Sequence, residues 1–267
     1  MALSAEIRLL WRGLAVEKRV IGALFMREFM TRWGRRDFGF AWLFAEPLVF
    51  AFPVLYMWSQ IRAPYEHGLP IIPFVWTGYL PILIFRHVTS GALYTVKMNA
   101  GMLYHRQVTP FDIYIGRQGL ELIGNIAASA TSFLILYMLG FIDWPRDYAL
   151  FLTGFFYMSW WAMAVALLVA SLSERSELVE HIWMPFSYMY IVFSGFMFLA
   201  EWLPPSLRRI ALAVDPPLHA YEMIRAGLFG NKIQAMYDIA HVSWILAIIT
   251  LLGLWLMRDV RKHLVLE

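Results

Sequence analysis

The 267-residue chain is 60% apolar and only 15% charged, and it contains 12 tryptophans and 20 phenylalanines. Because a soluble domain of this size could not bury so much apolar surface, the composition excludes an ordinary soluble protein and indicates that lipid is part of its solvent. The net charge of +3 gives no indication of nucleic-acid binding, and the lack of cysteine excludes disulfides, thiolate metal sites and a cysteine nucleophile.

The first segment, residues 1–38, predicts a helix that lies in the plane of the membrane surface. Apolar side chains recur every three or four residues and basic side chains occupy much of the opposite face, which is typical of an interfacial helix with arginines toward lipid phosphates. Trp33 and Gly34 indicate a turn into the next segment. A simple membrane anchor is the alternative interpretation. The apolar positions are Ile7, Leu10, Trp11, Leu14, Ile21, Leu24 and Phe25.

Six apolar runs are long enough to cross a hydrocarbon core as helices, which takes about 20 residues. Lysine and arginine are concentrated in the first segment, in the loop after the second run and in the tail 258–267, so both termini are expected on the cytoplasmic side. No internal repeat or linker divides the chain. We therefore predict one all-α membrane domain, residues 1–267, whose six-span bundle occupies 39–257. The runs are 40–61, 71–95, 118–141, 148–172, 180–200 and 239–257.

Charged side chains lie inside the first two runs. Glu46 is near the cytoplasmic end of the first run, and Arg86 and His87 are well inside the second. A charge within the membrane costs at least about 2.5 kcal/mol, so it should meet a partner or water. Glu46 and Arg86 lie at similar depths and could form an ion pair. Alternatively, Arg86 extends to the cytoplasmic surface or faces a polar pathway.

The fifth run carries an aromatic stripe on one helical face, formed by Trp183, Phe186, Tyr190 and Phe193. Such a stripe is most often packing or an interfacial belt. Aromatic rings also stack on the C–H faces of sugars, so a conduit for a polysaccharide would use the same residue types. The sequence leaves both interpretations open.

Residues 196–230 combine apolar positions with helix breakers. Pro204–Pro205 and Pro216–Pro217 each interrupt helical structure at a defined point. The segments that follow the two pairs predict two short helices, neither long enough to cross a membrane. We expect two half-helices that re-enter the membrane from the non-cytoplasmic side. Their non-spanning backbone would be tolerated there if it packs against protein or lines a cavity. A loop lying flat on the membrane is the alternative.

The motifs that would make the chain an enzyme are missing. It lacks the G-x-x-x-x-G-K-[ST] loop that cradles ATP phosphates, the H-E-x-x-H zinc motif and a credible nucleophile–base arrangement. We therefore expect no catalytic residue, no resident metal and no cofactor in this chain. If the protein performs work, the energy comes from another protein.

The order of these features resembles the membrane subunit of type-2 ABC exporters and, more narrowly, capsular polysaccharide export permeases of the KpsM kind. The resemblance covers nearly the whole chain. It rests on "FMREFMTRWGRRDFGFAWLFAEPL", on "YHRQVTPFDIYIGRQGLE", and on the block "FSGFMF", "LPPSLRR" and "DPPLHAYEMIRAGLFG". Asp215 stands where the family commonly has asparagine. The matching positions are Arg27, Glu28, Arg32, Trp33, Gly34, Gly39, Trp42, Pro47, Thr109, Pro110, Phe111 and Asp112.

The resemblance implies a transporter made of two copies of this chain and two copies of a separate ATPase, which would bind ATP and magnesium. The N-terminal helix, with Trp11, Arg27, Arg32 and Trp33, would act as a gate at the cytoplasmic mouth of the channel. The loop around Asn99–Gln107 would dock in a groove of the ATPase and transmit its movement. The docking residues would be Met102, Leu103, Tyr104 and Arg106.

The implied substrate is a lipid-linked acidic capsular polysaccharide that crosses the bacterial inner membrane, with periplasmic and outer-membrane export proteins as further partners. An acidic polymer needs scattered positive charge along its path, because one strong site would trap it. The outer arginines could instead bind lipid phosphates or the carboxylates of Glu222 and Asp215. The expected path residues are Arg86, Trp183, Phe186, Tyr190, Phe193, Arg208, Arg209 and Arg225.

Three alternative functions remain at this point. Similar permeases export O-antigen or teichoic acid, and the sequence separates these substrates poorly. An exporter of drugs or small lipids with the same fold would need no continuous aromatic and basic path. A membrane-embedded transferase would need paired acid–base or metal-binding residues, which the sequence lacks.

Overall fold

The computed structural model of the chain describes residues 2–33, 39–105 and 107–262. A two-residue antiparallel hairpin, β1 (Tyr65–Glu66) and β2 (Leu69–Pro70), lies between α2 and α3, and the rest of the regular structure is helical. The α-helices are α1 (Ala2–Trp33), α2 (Gly39–Ile61), α3 (Ile71–Ser90), α4 (Pro110–Met138), α5 (Tyr148–Ser173), α6 (Leu178–Phe193), α7 (Pro205–Val214), α8 (Pro216–Phe229) and α9 (Ile239–Arg258). Short 3-10 helices cover Lys97–Tyr104, Ala200–Trp202, Gly230–Lys232 and Val260–Lys262.

Four described helical stretches are long and apolar enough to cross a membrane, and they coincide with the second, third, fourth and sixth predicted runs. The first run matches α2, whose apolar part Pro47–Ile61 is shorter, and the fifth matches α6, which has 16 residues. The structure thus confirms a mostly helical multi-pass membrane protein, whereas six crossings stay a prediction. The four stretches are Ile71–Ser90, Pro110–Met138, Tyr148–Ser173 and Ile239–Lys262.

Helix α4, which matches the third predicted run, begins at Pro110 rather than at residue 118. Proline is tolerated in the first turn, where its missing N–H would have no helical partner. Thr109 caps the helix: its side chain accepts from the Asp112 N–H at 3.2 Å, while the Asp112 carboxylate accepts from the Thr109 N–H at 2.8 Å. The start was missed because this capped end is too polar to register as part of an apolar run.

Helix α5 packs against α3, α8 and α9 and so lies at the centre of the fold. Glycines permit the closest of these contacts. A Cβ atom on Gly227 of α8 would lie 2.5 Å from the backbone nitrogen of Phe151 in α5, and one on Gly154 would lie 2.6 Å from Ile224 Cγ1. Helices α5 and α8 therefore meet backbone to backbone, as small residues allow in membrane proteins.

Two short helices, α7 and α8, follow the two proline pairs where the sequence predicts them. Helix α8 is buried over nearly its whole length, whereas α7 has no buried residue. Leu207, Ile210 and Val214 expose apolar side chains on α7. The two helices therefore have different environments: α8 belongs to the protein core and α7 lies on its surface.

Candidate translocation path and coupling surface

Helix α6 brings its aromatic stripe against α3 and α5. The ring centroids of Trp183 and Phe186 are 5.6 Å apart, and those of Phe186 and Tyr190 are 5.9 Å apart. Phe85 of α3 lies 6.2 Å from Trp183 and 5.3 Å from Tyr190, and Trp161 of α5 stacks on Phe85 at 6.1 Å. These distances are typical of interacting aromatic pairs, so three helices share one aromatic cluster.

The stripe has an inner and an outer half. Trp183 and Tyr190 are half-buried in the cluster, whereas Phe186 is 48% and Phe193 is 68% exposed. Ser187 is the one buried residue of α6 within the described part of the chain. Helix α6 therefore lies at the edge of the bundle, with an apolar surface available to lipid, to a polymer or to a second chain.

Arg86 lies half-buried on α3, with its guanidinium carbon 4.2 Å from the ring centroid of Tyr188 on α6. A cation over an aromatic face at this distance is attracted by the quadrupole of the ring. The neighbouring His87 places Nδ1 2.8 Å from Oδ1 of Asn125 on α4. The side chain of Glu46 lies outside the described residues, so the Glu46–Arg86 ion pair stays a prediction.

Arg225 was predicted near the exit of the path, but the structure places it inside the protein. The side chain is fully buried, and its terminal nitrogens donate to the carbonyls of Gly195, Phe196 and Phe198 at 2.5–2.9 Å. The guanidinium carbon also lies 4.3 Å from the ring centroid of Phe74. These carbonyls follow the end of α6, where helical partners are missing. In this structure a polymer could not reach the guanidinium, and a backbone clamp replaces the expected path contact.

The two arginines of α7 also differ from each other. Arg208 donates to the carbonyls of Ala200, Glu201 and Leu203, so its guanidinium is bound to the loop before α7. Arg209 is exposed, and its side chain has no hydrogen bond or ion pair with the described residues. Of the three outer arginines in the prediction, Arg209 is therefore the one available to a polymer or a lipid phosphate.

Two acidic residues hold the same block together. Glu222 is buried, and its carboxylate accepts from the backbone N–H groups of Ala200 and Met236, each at 2.9 Å. Tyr190 donates to Asp215, which joins the aromatic stripe to the start of α8. Sequence reasoning considered these carboxylates as partners for arginines. Their main partners are a tyrosine and backbone groups on distant segments, which no local pattern reveals.

The 3-10 helix Lys97–Tyr104 carries the residues predicted to dock on an ATPase. Tyr104 is 72% exposed and Met102 is half-buried, but Leu103 is only 4% exposed and packs in the main hydrophobic core. Leu103 is thus a core residue, contrary to the docking role expected of it. Met98, which the prediction omitted, is 68% exposed. The large apolar side chains that this segment exposes are therefore those of Met98 and Tyr104, and Leu103 is not among them.

Side chains from α1 and from the segment after α9 form hydrogen bonds with this 3-10 helix. Arg27 Nη1 of α1 donates to Asn99 Oδ1 at 3.1 Å. Arg261, beyond α9, donates to the carbonyl of Leu103 at 2.8 Å. The predicted gate helix and the predicted docking segment are therefore in direct contact.

Glu174, which sequence reasoning missed, also binds the start of this 3-10 helix. Its Oε1 atom accepts from the backbone N–H groups of Val96 and Lys97, each at 2.9 Å. Unpaired N–H groups at the start of a helix favour a carboxylate there. Burial raises the pKa of Glu174 above its ordinary value, and the two N–H groups partly oppose that increase. The contact joins the end of α5 to the docking segment.

Helix α1 is one continuous helix whose second half packs on α4. Phe25 and Phe29 contact the buried Leu120 of α4, whereas Trp11 in the first half is 69% exposed. The exposed end thus leaves apolar surface for the membrane, as expected of an interfacial helix. Other predicted gate and docking side chains, those of Arg32, Trp33 and Arg106, lie outside the described residues.

Within the described ranges, no group of three or more His, Cys, Asp or Glu side chains could hold a metal ion. The arrangement offers an aromatic surface on α6, a half-buried cation on α3 and a 3-10 helix, Lys97–Tyr104, that is bound by residues of three other segments. These features suit passage of a large molecule and contact with another protein.

Known proteins are similar to this chain over most of its length. The family described as ABC-2 type transporter matches residues 19–229. The capsule polysaccharide export inner-membrane protein CtrC of Neisseria meningitidis serogroup B is 36% identical over 223 residues, or 84% of each chain. BexB of Haemophilus influenzae, which has the same description, is 34% identical over 251 residues, or 94% of each chain. The polysialic acid transport protein KpsM of Escherichia coli is 29% identical over 128 residues, 48% of this chain and 50% of that protein.

The family match runs from the second half of α1 to the end of α8, so it includes the predicted docking segment, the aromatic stripe and the loop bound by Arg225. The chain therefore belongs to the ABC-2 type transporter family, as a membrane subunit similar to capsule polysaccharide export inner-membrane proteins.

Proposed function

We propose that the chain is the channel-forming permease of an ATP-driven exporter that moves a lipid-linked acidic capsular polysaccharide across the bacterial inner membrane. The proposal is carried by the similarity over 94% of both chains to a capsule polysaccharide export inner-membrane protein. A separate ATPase subunit would bind ATP and magnesium, because this chain has no phosphate-binding loop.

Two copies of the chain would enclose the channel, with α2, α3, α4, α5, α6 and α9 as crossings and both termini in the cytoplasm. The exposed apolar surface of α6 supports this arrangement, because a helix with few neighbours in its own chain needs a partner or lipid. Helices α7 and α8 would form the re-entrant block at the far side, where α8 packs against protein as irregular membrane segments require. Exposed on α6 are Phe186, Tyr188, Met189, Val192 and Phe193.

The polymer would pass the aromatic stripe of α6. Phe186 and Phe193 present exposed rings, while Trp183 and Tyr190 anchor the stripe in the cluster with α3 and α5. Ring stacking is individually weak and tolerates shifts in register, which suits a polymer that must slide. Arg86 on the inner side and Arg209 on the outer side would supply positive charge. Arg208 and Arg225 would support the outer block.

Movement of the ATPase would enter through the segment Lys97–Tyr104. Its contact with Arg27 would pass a displacement to the gate helix α1, and its contact with Glu174 would pass it to α5. Such coupling requires that these contacts differ between the nucleotide states, since a ligand shifts an equilibrium only through differential interactions.

Transport by the reconstituted complex tests the proposed function. The chain would be purified together with its partner ABC ATPase and placed in inside-out vesicles with a lipid-linked capsular polysaccharide. We expect ATP-dependent entry of the polymer into the vesicle lumen and none when the ATPase carries a hydrolysis-blocking substitution. ATP-dependent uptake of a drug or small lipid with no uptake of polymer would contradict the proposal.

The substitutions Tyr104→Asp and Leu103→Asp should affect different properties, the first ATPase binding and the second the stability of the chain. Tyr104 is exposed, so Tyr104→Asp should leave the fold intact and weaken ATPase binding by about 2 kcal/mol, or about 30-fold, if it is a central contact. Leu103→Asp places an unpaired charge in the core and should lower the yield and the thermal stability of the chain. Tyr65→Asp, at a 68% exposed tyrosine of β1, is the matched control. Wild-type recovery of ATPase with Tyr104→Asp would exclude this docking surface.

Removing the exposed rings of α6 should slow export and leave assembly intact. Each stacking contact contributes about 0.5–1.5 kcal/mol, so Phe186→Ala and Phe193→Ala should each slow export a few-fold and should together slow it about tenfold. The control pair is Trp244→Ala with Trp255→Ala, because these side chains are 72% and 64% exposed on α9. Initial export rates are the measurement, and equal slowing by both pairs would contradict a polymer contact on α6.

Arg86→Gln should slow export while the complex still assembles. Loss of a charge-assisted hydrogen bond to the polymer removes about 1.5–3 kcal/mol, which corresponds to at least a tenfold lower rate where that contact limits transport. An ion pair with Glu46 makes a different prediction: Arg86→Glu would fail to assemble, and Glu46→Arg would rescue it. Size-exclusion profiles and export rates separate the two, and a wild-type export rate for Arg86→Gln would exclude the path role.

A further inference from the structure

A groove of about 980 Å³ lies between α4 and α5, with the buried Trp76 of α3 at its base. It extends from Leu122 to Leu134 on α4 and from Tyr148 to Met163 on α5. These stretches are about 18–22 Å of helix, a large part of the roughly 30 Å thickness of a hydrocarbon core. Since both helices are long and apolar enough to cross a membrane, the groove lies at hydrocarbon depth.

The interior of the groove is mainly apolar, and its buried polar side chains, Trp76, Ser129 and Ser159, already have hydrogen-bond partners. Its aromatic side chains hold one another in place: Trp76 and Phe151 stack at 6.2 Å, and Phe151 and Phe155 lie 5.2 Å apart. The Ser159 hydroxyl donates to the carbonyl of Phe155 within its own helix, and Trp76 Nε1 donates to Ser132 Oγ at 3.0 Å. A preformed apolar slot of this kind matches a hydrocarbon chain and rejects a sugar, whose hydroxyls would be left unpaired.

The character of the surface changes at the loop end of the groove. Trp144 and Tyr148 are 44% and 53% exposed there, and such amphipathic rings favour the headgroup level of a membrane. Arg146 follows the lining residue Pro145, is exposed, and has no side-chain hydrogen bond or ion pair with the described residues. Two exposed carboxylates lie in the same loop, those of Asp143 and Asp147, and the Asp147 carboxylate accepts from the Leu150 N–H at 3.0 Å. An exposed arginine therefore lies in the loop at the mouth of the apolar slot, with its side-chain stem close to Gly230.

We propose that this groove binds an acyl chain of an anionic glycerophospholipid from the surrounding bilayer, with the lipid phosphate at Arg146. The bilayer is the source because the groove lies between two membrane-crossing helices and apart from the aromatic stripe of α6. This site is independent of the proposed transport function.

The physical chemistry limits how selective the site can be. An acyl chain that leaves the bilayer for the groove removes no apolar surface from water, so packing against fixed rings and the charge of Arg146 must supply the preference. A phosphate–arginine contact adds charge-assisted hydrogen bonds, and anionic headgroups are attracted by basic residues at the membrane surface. We therefore expect a several-fold enrichment of anionic lipid.

Photolabelling of the full chain in nanodiscs tests the site. The probe is phosphatidylglycerol with a diazirine near the end of one acyl chain, diluted in phosphatidylcholine. Mass spectrometry should find adducts within 122–163 at several times the level on the lipid-exposed face of α9, at Ile248, Leu251 and Leu252. A phosphatidylcholine probe with the same chain should label the groove less.

Two variants and one control distinguish the site from general contact with lipid. Ala130→Trp fills the groove and should abolish the enrichment, whereas Ile248→Trp adds the same bulk on α9 and should not. Arg146→Gln lies on the surface, should fold normally, and should remove the preference for phosphatidylglycerol over phosphatidylcholine. Each variant is compared with wild type at equal monodispersity.

Several results would overturn the proposal. Groove labelling equal to that of α9, or unchanged by both Ala130→Trp and Arg146→Gln, would show only general lipid contact. Displacement of the probe by substoichiometric lipid-linked polymer would assign the groove to the substrate's lipid anchor. Disulfide formation between copies carrying Ala130→Cys, with no labelling of the groove, would show that a second chain covers it.

Discussion

Replacing Arg225 by glutamine is expected to cause a large loss of folded protein. Three carbonyls after α6 would lose a charged donor, and Glu222, whose charge attracts the guanidinium, would stay buried without it. Leaving a buried hydrogen-bonding group without its partner costs about 1–3 kcal/mol, and three carbonyls would be affected here. That is a large part of the roughly 5–15 kcal/mol by which proteins are stable.

Arg209→Gln is the matched control, because it removes the same charge from an exposed side chain that has no hydrogen bond or ion pair with the described residues. The measurements are the yield of monodisperse protein and the midpoint of thermal unfolding in detergent. We expect Arg225→Gln to lower both strongly and Arg209→Gln to leave both near wild type. If Arg225→Gln were as stable as Arg209→Gln and only export were slower, the clamp would be wrong and a path contact would regain support.

Gly227→Ala is expected to destabilise the protein, even though alanine is the better helix former by about 1 kcal/mol. The added Cβ would lie 2.5 Å from the backbone nitrogen and 2.6 Å from the Cα atom of Phe151, so α5 and α8 would have to separate. Forcing extra volume into a packed contact typically costs about 1–3 kcal/mol. The displacement would also disturb the Gly227 carbonyl, which accepts from the N–H groups of Arg146 and Asp147.

Gly119→Ala on α4 separates crowding from helix propensity. A Cβ atom at Gly119 would meet nothing within 4 Å, so this substitution should be neutral or should stabilise the helix by up to about 1 kcal/mol. Thermal unfolding of the two variants in the same detergent gives the comparison. Equal shifts for Gly119→Ala and Gly227→Ala would show that backbone contact between α5 and α8 does not limit stability.

Local sequence features were sufficient to predict the class of the protein and the starts of several helices. Apolar runs predicted the four helices that can cross a membrane, because length and composition are properties of a continuous segment. Pro204–Pro205 and Pro216–Pro217 predicted the starts of α7 and α8, because a proline without an N–H acts on its own turn. The motif order across the chain predicted the family, which the match over residues 19–229 confirms.

The direction of each side chain could not be predicted in the same way. In a soluble protein the 3.6-residue period separates a wet face from a buried one, but here the outer face meets lipid and is equally apolar. Leu103 and Tyr104 are neighbours of similar apolar character, yet one lies in the core and the other is exposed. Arg209 on α7 and Arg225 on α8 have the same side-chain chemistry, and only Arg209 is accessible.

The sequence by itself therefore determined that this is a helical membrane subunit of a known transporter family, with breaks at defined prolines. Tertiary structure decided which polar groups have hydrogen-bond partners within the protein and which remain exposed. Glu174 binds the backbone of Val96 and Lys97, and Arg225 binds carbonyls near Phe196, although these partners are far apart in the chain. A buried charge pairs with whatever group packing brings within about 3 Å, and that proximity is created by contacts between helices rather than by neighbouring residues.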